Sequence, residues 1–497
     1  MKLSRVIEHV NASADGFSPA LLEREADTFV IDSREIKAGD VFFALSPPEY
    51  RNNGFNGDFG DATPYVKTAF DRGAAACVVR RDRFDEHQSE LTAFDGRLIF
   101  VDDCIVALQS LAHGVYLEWN KPVVGITGSA GKTTAKELTA QVLSFSGRKV
   151  LRNIKNYNNG LGHPLTVLNL AKDPSYDVAV LEMGMSTPMN EIQRLCRITP
   201  PDVAVVLNVL PVHLEHLGSI ENIAKAKAEI VEGLKPSGTA VLNADDVRVA
   251  AMGTLFQGNT MTYAIDADAD VMAKKVEASP FGRNRFQLLT PDGSANVNFP
   301  LNGRHNILNA LAAAAVGVSF GMSADSIATA FSTAEAPSQR GEILRFAEGF
   351  TVVNDSYNSN PAALLSMVST LIEGSGEGCR TIVVAGEMLE LGEDAERQHF
   401  EAGEKIAELG ADMLIGVRGL AKEIVAGASS GGLKDATFAD NSATAGEVLI
   451  GEIRKGDVVL VKGSRGVRTE IVIEKLLEKY QLNGTTADEV TRLDNLC

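Results

Sequence analysis

The residues best equipped for chemistry in this sequence are the run Gly128-Ser129-Ala130-Gly131-Lys132-Thr133-Thr134. The apolar stretch Val123 to Thr127 precedes it and the helix-forming pattern Lys136 to Leu143 follows it, so the spacing predicts strand, loop and helix. In such a loop, backbone N–H groups turn toward phosphate oxygens, the helix N-terminus adds positive potential, and a lysine reaches the terminal phosphates of a nucleotide. Thr133 would face a magnesium ion. The run departs from the strict G-x-x-x-x-G-K-[ST] pattern, because Ile126 holds the place of the first glycine, between Gly125 and Gly128. A glycine turn with no ligand is the plainer reading, and the flanking strand and helix weigh against it.

Phosphoryl transfer needs metal, and metal needs oxygen or imidazole ligands beside the loop. Glu182 ends the run Val178-Ala179-Val180-Leu181, which puts its carboxylate at the same sheet edge as the loop. Taken alone it is equally a solvated strand-end glutamate. His213 follows the run Val203 to Val209 by a short turn and falls at that edge too, although a lone loop histidine is usually incidental. Lys227 is the most informative position. At helical spacing Ile223, Lys227, Ile230, Val231 and Leu234 share one face, and Glu221, Lys225 and Glu229 form an exposed ladder. An inward lysine must be paired, neutral or chemically modified, unless its stem carries the charge out to water.

These residues need a scaffold, and the chain is long enough for a large one. Its 497 residues suggest about three domains. Short β-branched runs alternate with longer helical patterns, which predicts an α/β class with mostly parallel sheets. Candidate strands are Val123 to Thr127, Val178 to Glu182, Val203 to Asn208, Thr351 to Asp355, Thr381 to Ala385, Met413 to Val417 and Val458 to Lys462. Breaks are expected near Glu118 to Pro122 and near Ala334 to Ser338. A net charge of -18 argues against nucleic acid as a partner. The N-terminus carries charge too early for a signal peptide, and no long uncharged apolar span follows, so the expectation is a cytoplasmic protein without membrane insertion. The five cysteines are scattered without zinc or redox spacing and read as buried thiols.

Taken together, the motifs resemble the Mur ligases over essentially the whole chain. Gly128 to Thr134 is similar to that family's ATP loop, Leu181-Glu182-Met183-Gly184 to its metal glutamate, and His213-Leu214-Glu215 to its metal histidine. Ala226-Lys227-Ala228-Glu229-Ile230 resembles the segment bearing the family's carbamylated lysine. The carbamate, formed from CO2, would turn a buried cation into an anionic ligand. Gly303-Arg304-His305-Asn306-Ile307-Leu308-Asn309 resembles the stretch near the nucleotide base, Arg340 the arginine near the ATP phosphates, and Asp355 the carboxylate near the ribose. Asn354 to Pro361 best separates this chain from the family's other branches and points to Asn358 and Asn360 as substrate contacts. Asn360 and Pro361 also read as a helix N-cap and first turn. Asp32-Ser33-Arg34 resembles the UDP-sugar-binding start, with Ser33 and Arg34 as contacts, and Asn156 to Gly162 resembles the substrate loop, with Asn158 and Asn159 as contacts. Two departures stand out: the family's D-G-H-x-F is replaced by the longer stretch Tyr50 to Tyr65, and in the substrate loop Lys155 stands for a glycine and Gly160 for an acidic residue.

The resemblance implies three domains: residues 1–118 binding a UDP-sugar, residues 119–335 carrying the P-loop on a doubly wound, mostly parallel sheet, and residues 336–497 forming a Rossmann-like domain that serves the amino acceptor and closes on the nucleotide. It implies a monomer using ATP and two magnesium ions, with UDP-N-acetylmuramoyl-tripeptide and D-alanyl-D-alanine as substrates and Lys132, His213, Lys227 and Arg340 as the catalytic set. ATP would phosphorylate the tripeptide carboxylate, and the acceptor amine would displace phosphate. The alternatives are an amide ligase of the same kind with another acceptor, such as a folylpolyglutamate synthase, a P-loop switch or motor, and an inactive binding module. No guanine-reading N-K-x-D follows the loop.

Overall fold

The computed structural model describes residues 1–55, 59–154, 156–185, 190–211, 217–277, 284–334, 339–376 and 378–483. Its strands form three sheets in chain order. The first holds β1 (Phe29–Val30), β2 (Val41–Phe43), β3 (Ala76–Arg80) and β4 (Leu98–Val101), all parallel. The second contains β5 (Val123–Thr127), β6 (Val150–Arg152), β7 (Val178–Glu182), β8 (Val203–Val206), β9 (Thr239–Asn243), β10 (Asn259–Ala264), β11 (Val271–Glu277), β12 (Asn284–Thr290) and β13 (Gly293–Phe299). The third contains β14 (Glu342–Arg345), β15 (Thr351–Asp355), β16 (Thr381–Gly386), β17 (Met413–Val417), β18 (Ala436–Ala439) and β19 (Val458–Lys462).

The central order is β13-β12-β11-β10-β9-β8-β5-β7-β6. It is parallel from β6 to β11, and β12 and β13 add an antiparallel edge. Strands β5, β7 and β8 are continuously buried, as strands covered by helices on both faces must be. Their register sets Ile126 beside Glu182 and Thr127 beside Val206, so all three chains leave the sheet at one carboxyl edge. Strand β8 stops at Val206, short of the expected Asn208, because the Asn208 carbonyl turns away to accept the Ser129 N–H at 3.1 Å.

One apolar cluster runs without a break from Val41, Phe43 and Val78 of the first sheet, through Leu108, Leu111 and Val115, to Leu181, Ala204 and Leu242 of the second. The link is the helix Cys104–Trp119, capped by Asp103 accepting from the Ile105 and Val106 N–H groups. It is fastened to the central layer by Gln109 Nε2 donating to the Gly160 carbonyl and Trp119 Nε1 to the Tyr176 carbonyl, each at 2.9 Å. The two faces of the third sheet have clusters of their own. Among the described residues, no helix is long and apolar enough to cross a membrane. Cys77, Cys104 and Cys196 are the expected buried free thiols, whereas Cys379 is only partly buried and is not a free thiol, and Cys497 lies outside the described residues.

Candidate active site

At the edge above β5 the chain turns through Gly128 and enters the helix Lys132–Phe145. Gly131 has φ 83, and a Cβ there would lie 2.5 Å from Asn309 Oδ1, so glycine is required both by the backbone and by the close approach of a neighbouring helix. Asn208 braces the loop. Its Oδ1 accepts the Ala130 N–H at 2.9 Å and its Nδ2 donates to the Ala130 carbonyl at 3.1 Å. Ser129 Oγ donates to the Leu210 carbonyl at 3.2 Å and accepts the Leu210 N–H at 2.9 Å. Lys132 Nζ donates to the Gly128 carbonyl at 2.8 Å, spanning the loop it belongs to. Burial lowers the Lys132 pKa; Glu182 opposes this and the Arg340 guanidinium adds to it.

Glu182 is buried and doubly held. Its Oε2 accepts from Thr133 Oγ1 and its Oε1 from Asn158 Nδ2, each at 2.8 Å. The solvated strand-end reading is therefore wrong: this carboxylate joins the phosphate loop to the segment expected to bind substrate. Asn153 secures the junction, its Oδ1 accepting the Glu182 N–H at 3.0 Å and its Nδ2 donating to the Glu182 and Tyr157 carbonyls at 2.9 Å. Asn159 faces its own turn, where Oδ1 accepts from the N–H groups of Leu161 and Gly162.

Lys227 lies in the helix Ile220–Glu232 with only 1% of its surface exposed. The snorkelling alternative fails on that figure. Burial lowers its pKa to about 7, Lys132 adds to the lowering, and Glu191, Glu229 and Glu182 oppose it. The expected outer ladder needs one correction: Glu229 is half-buried, since its Oε2 accepts the Gln193 N–H at 3.0 Å. His213 lies outside the described residues. Among the described residues, no three His, Cys, Asp or Glu side chains converge as a metal centre; Lys227 would become a carboxylate ligand only on modification.

The first turn of the helix Arg304–Ser319 faces the unit built on the third sheet. His305, Asn306 and Asn302 face Gly341, Val353, Met367, Thr370 and Leu371 across a cleft between the two units. The exposed His305 ring lines this cleft, within electrostatic reach of Asp355 and Lys462. Asn309 Nδ2 donates to Asn306 Oδ1 at 3.2 Å, so Asn306 links the cleft to the phosphate loop through Asn309. At the end of β15, Asp355 Oδ2 accepts from Lys462 Nζ at 2.5 Å, and the same ammonium donates to the Asn358 carbonyl at 2.9 Å. The Arg340 guanidinium stacks 4.0 Å from the centre of the Tyr357 ring, and the Tyr357 N–H donates to the Gln339 carbonyl at 3.2 Å. Asn360 caps the helix Pro361–Gly374 by accepting the Ala363 N–H at 2.9 Å, and Asn358 Oδ1 accepts the Ser359 N–H at 2.9 Å.

Ser33 and Arg34 follow β1 on the first sheet and take no part in this network of described contacts. Arg34 grips Asp32 with Nε at 2.9 Å and Nη2 at 2.6 Å, which holds the Asp32 pKa at about 2. The helix Pro47–Asn52 leads into the atypical stretch Tyr50 to Tyr65, where Tyr50 stacks on Phe59 with centroids 4.0 Å apart. Sequence reasoning missed Asn208, Asn153 and the Lys462 pairing. The one signal for Asn208 and Lys462 was position, each at or just past the end of a buried strand.

The Mur ligase middle domain matches residues 126–317, and the Mur ligase glutamate ligase domain matches residues 339–465. The UDP-N-acetylmuramoyl-tripeptide–D-alanyl-D-alanine ligase of Escherichia coli K12 is 34% identical over 488 residues, covering 97% of this chain and 99% of that protein. A crystal structure of MurF from Acinetobacter baumannii superposes with a TM-score of 0.81 at 26% identity, covering 96% of this chain and 98% of that one. MurF from Thermotoga maritima, solved in complex with ADP, has a TM-score of 0.78 at 28% identity, covering 93% of this chain and 99% of that one. With that extent of likeness laid over a braced phosphate loop and its glutamate, the chain belongs to the Mur ligase family.

Proposed function

We propose that this enzyme joins D-alanyl-D-alanine to UDP-N-acetylmuramoyl-tripeptide at the expense of ATP, giving the pentapeptide precursor of peptidoglycan. The observation that carries the reading is the chain Thr133–Glu182–Asn158, which couples the phosphate loop to the substrate segment as in-line transfer between two bound substrates requires. An oxygen of the tripeptide carboxylate attacks the terminal phosphorus of ATP and ADP leaves. The acceptor amine then attacks the acyl carbon and expels phosphate. Lys132, released from the Gly128 carbonyl, and Arg340, supported by Tyr357, neutralise charge on the transferring group.

Thr133, Glu182, His213 and a carbamylated Lys227 would hold two magnesium ions, which when bound screen the phosphate from the attacking carboxylate. The donor set fits this role: Glu182 presents carboxylate oxygens beside the Thr133 hydroxyl, and burial that lowers the Lys227 pKa to about 7 favours its neutral amine. Its nitrogen lone pair can add to CO2 with loss of a proton. The first sheet, with Ser33 and Arg34, takes the UDP-sugar, Asn158 and Asn159 take the peptide, and His305, Asn306, Asn309 and Asp355 take the nucleoside. The units 1–118, 119–335 and 336–497 thus serve UDP-sugar, ATP and acceptor in a cytoplasmic monomer.

The test is incubation with ATP, magnesium, D-alanyl-D-alanine and the UDP-tripeptide carrying either diaminopimelate or lysine, followed by mass analysis. ATP hydrolysis without a dipeptide adduct from either substrate would refute the assignment.

A further inference from the structure

Lys136 is an interior ammonium, 1% exposed, one helical turn beyond Lys132. Its Nζ donates to the Asn153 carbonyl at 2.6 Å and pairs with Glu137 at 3.0 Å. Glu137 in turn binds Arg152 Nε at 2.8 Å. The phosphate-loop helix thereby grips the last residue of β6 and the first residue beyond it, at the point where the chain sets out toward Asn158. The side chain of the gripped residue, Asn153, holds both the N–H and the carbonyl of Glu182. A buried lysine is costly unless its partners hold it in one place, and here the carbonyl partner, Asn153, belongs to the junction between Glu182 and the segment leading to Asn158.

We propose that Lys136 is a positioning residue for the ligase reaction. Acting through Asn153, it locks Glu182 and Asn158 in register with the phosphate loop, so that magnesium and the peptide substrate meet the nucleotide in one geometry. The inference rests on the proposed function: its kinetic arm on the ligase reading, and its calorimetric arm on the magnesium role proposed for Glu182.

The test compares Lys136→Met and Lys136→Arg with the parent enzyme. Steady-state rates are varied separately in ATP, magnesium and UDP-tripeptide. Calorimetry measures binding of a non-hydrolysable ATP analogue with and without magnesium, a readout that needs no turnover. Lys136→Met is expected to lower kcat by about tenfold or more and to raise the magnesium requirement, with the KM for ATP within about threefold. Analogue binding should weaken only when magnesium is present, and Lys136→Arg should recover most of each loss. Parent-like magnesium dependence in Lys136→Met would overturn the proposal. So would equal damage in both variants, matched by an equal drop in melting temperature.

Should Lys136→Met not fold, Asn153→Ala cuts the next link and must show the same magnesium-specific defect; a parent-like profile there overturns the proposal equally. A parent that makes no dipeptide adduct refutes the ligase reading instead, and the calorimetric arm still decides the role of Lys136.

Discussion

Replacing Lys227 with methionine should abolish ligation and, in buffer free of CO2, make the protein more stable. The chain of reasoning starts from burial. A lysine that titrates at 10.5 in the unfolded chain and at about 7 here loses about 1.4 kcal/mol per unit, so the unmodified ammonium costs the fold roughly 4 to 5 kcal/mol. The sign follows from proton counting. Below pH 7 both states carry the proton and the full cost is felt; between pH 7 and 10.5 the unfolded state binds more protons, so stability rises with pH across that window. Methionine has nearly the same length and no charge, so it removes the cost and most of the pH dependence. At about 2 to 4 °C per kcal/mol for a unit of this size, the apparent melting temperature at pH 6.5 should rise by roughly 8 to 20 °C.

Bicarbonate provides the internal control. If the parent takes up CO2 on Lys227, added bicarbonate should raise its melting temperature by mass action, leave Lys227→Met unmoved, and be unable to rescue the activity of Lys227→Met or Lys227→Ala. Scanning fluorimetry at pH 6.5 and 8.5, with and without bicarbonate, reads all of this. A methionine variant that melts at or below the CO2-free parent would refute the burial argument. Near-parent turnover in that variant would refute the carbamate.

Asn208→Ala deletes two bonds to Ala130, worth about 1 kcal/mol each, and should weaken nucleotide binding roughly 10- to 30-fold by calorimetry without altering the affinity for UDP-tripeptide. Tyr357→Leu removes the ring under Arg340 and should lower kcat several-fold at unchanged melting temperature, since stacking on an aromatic face contributes about 1 kcal/mol; Tyr357→Phe should behave as the parent. His399 is buried, accepts the Met388 N–H at 2.9 Å on Nε2 and contacts the Ala395 carbonyl at 2.6 Å through Nδ1. Burial lowers its pKa, so its contribution is complete above its ordinary value near 6.5 and lost as the pH falls below it. The protection factor of the Met388 amide, its exchange rate corrected for the intrinsic slowing at lower pH, should fall on acidification, and a fall no greater than at neighbouring amides would contradict that role.

Much of the site could be read in the sequence because its signals were periodic. The buried run Val178–Glu182 kept its bounds, and helical spacing alone turned Lys227 inward, where burial confirms it. The strands β12 and β13, which make the sheet's far edge antiparallel, were not anticipated; they alternate between buried and more exposed residues rather than forming continuous apolar runs. The braces were hidden for a different reason. Asn208, Asn153 and Lys136 each act on main-chain atoms, at separations of 78, 29 and 17 residues. A carbonyl belongs to every residue and an N–H to all but proline, so the acceptor side of such a bond leaves no mark on residue type. Only the donor or acceptor side chain is specified, and in isolation it resembles an ordinary strand-end asparagine or a helix lysine. The same fact makes the braces one-sided in mutation: changing Ala130 to another small residue should leave the Asn208 bonds in place, whereas changing Asn208 removes both.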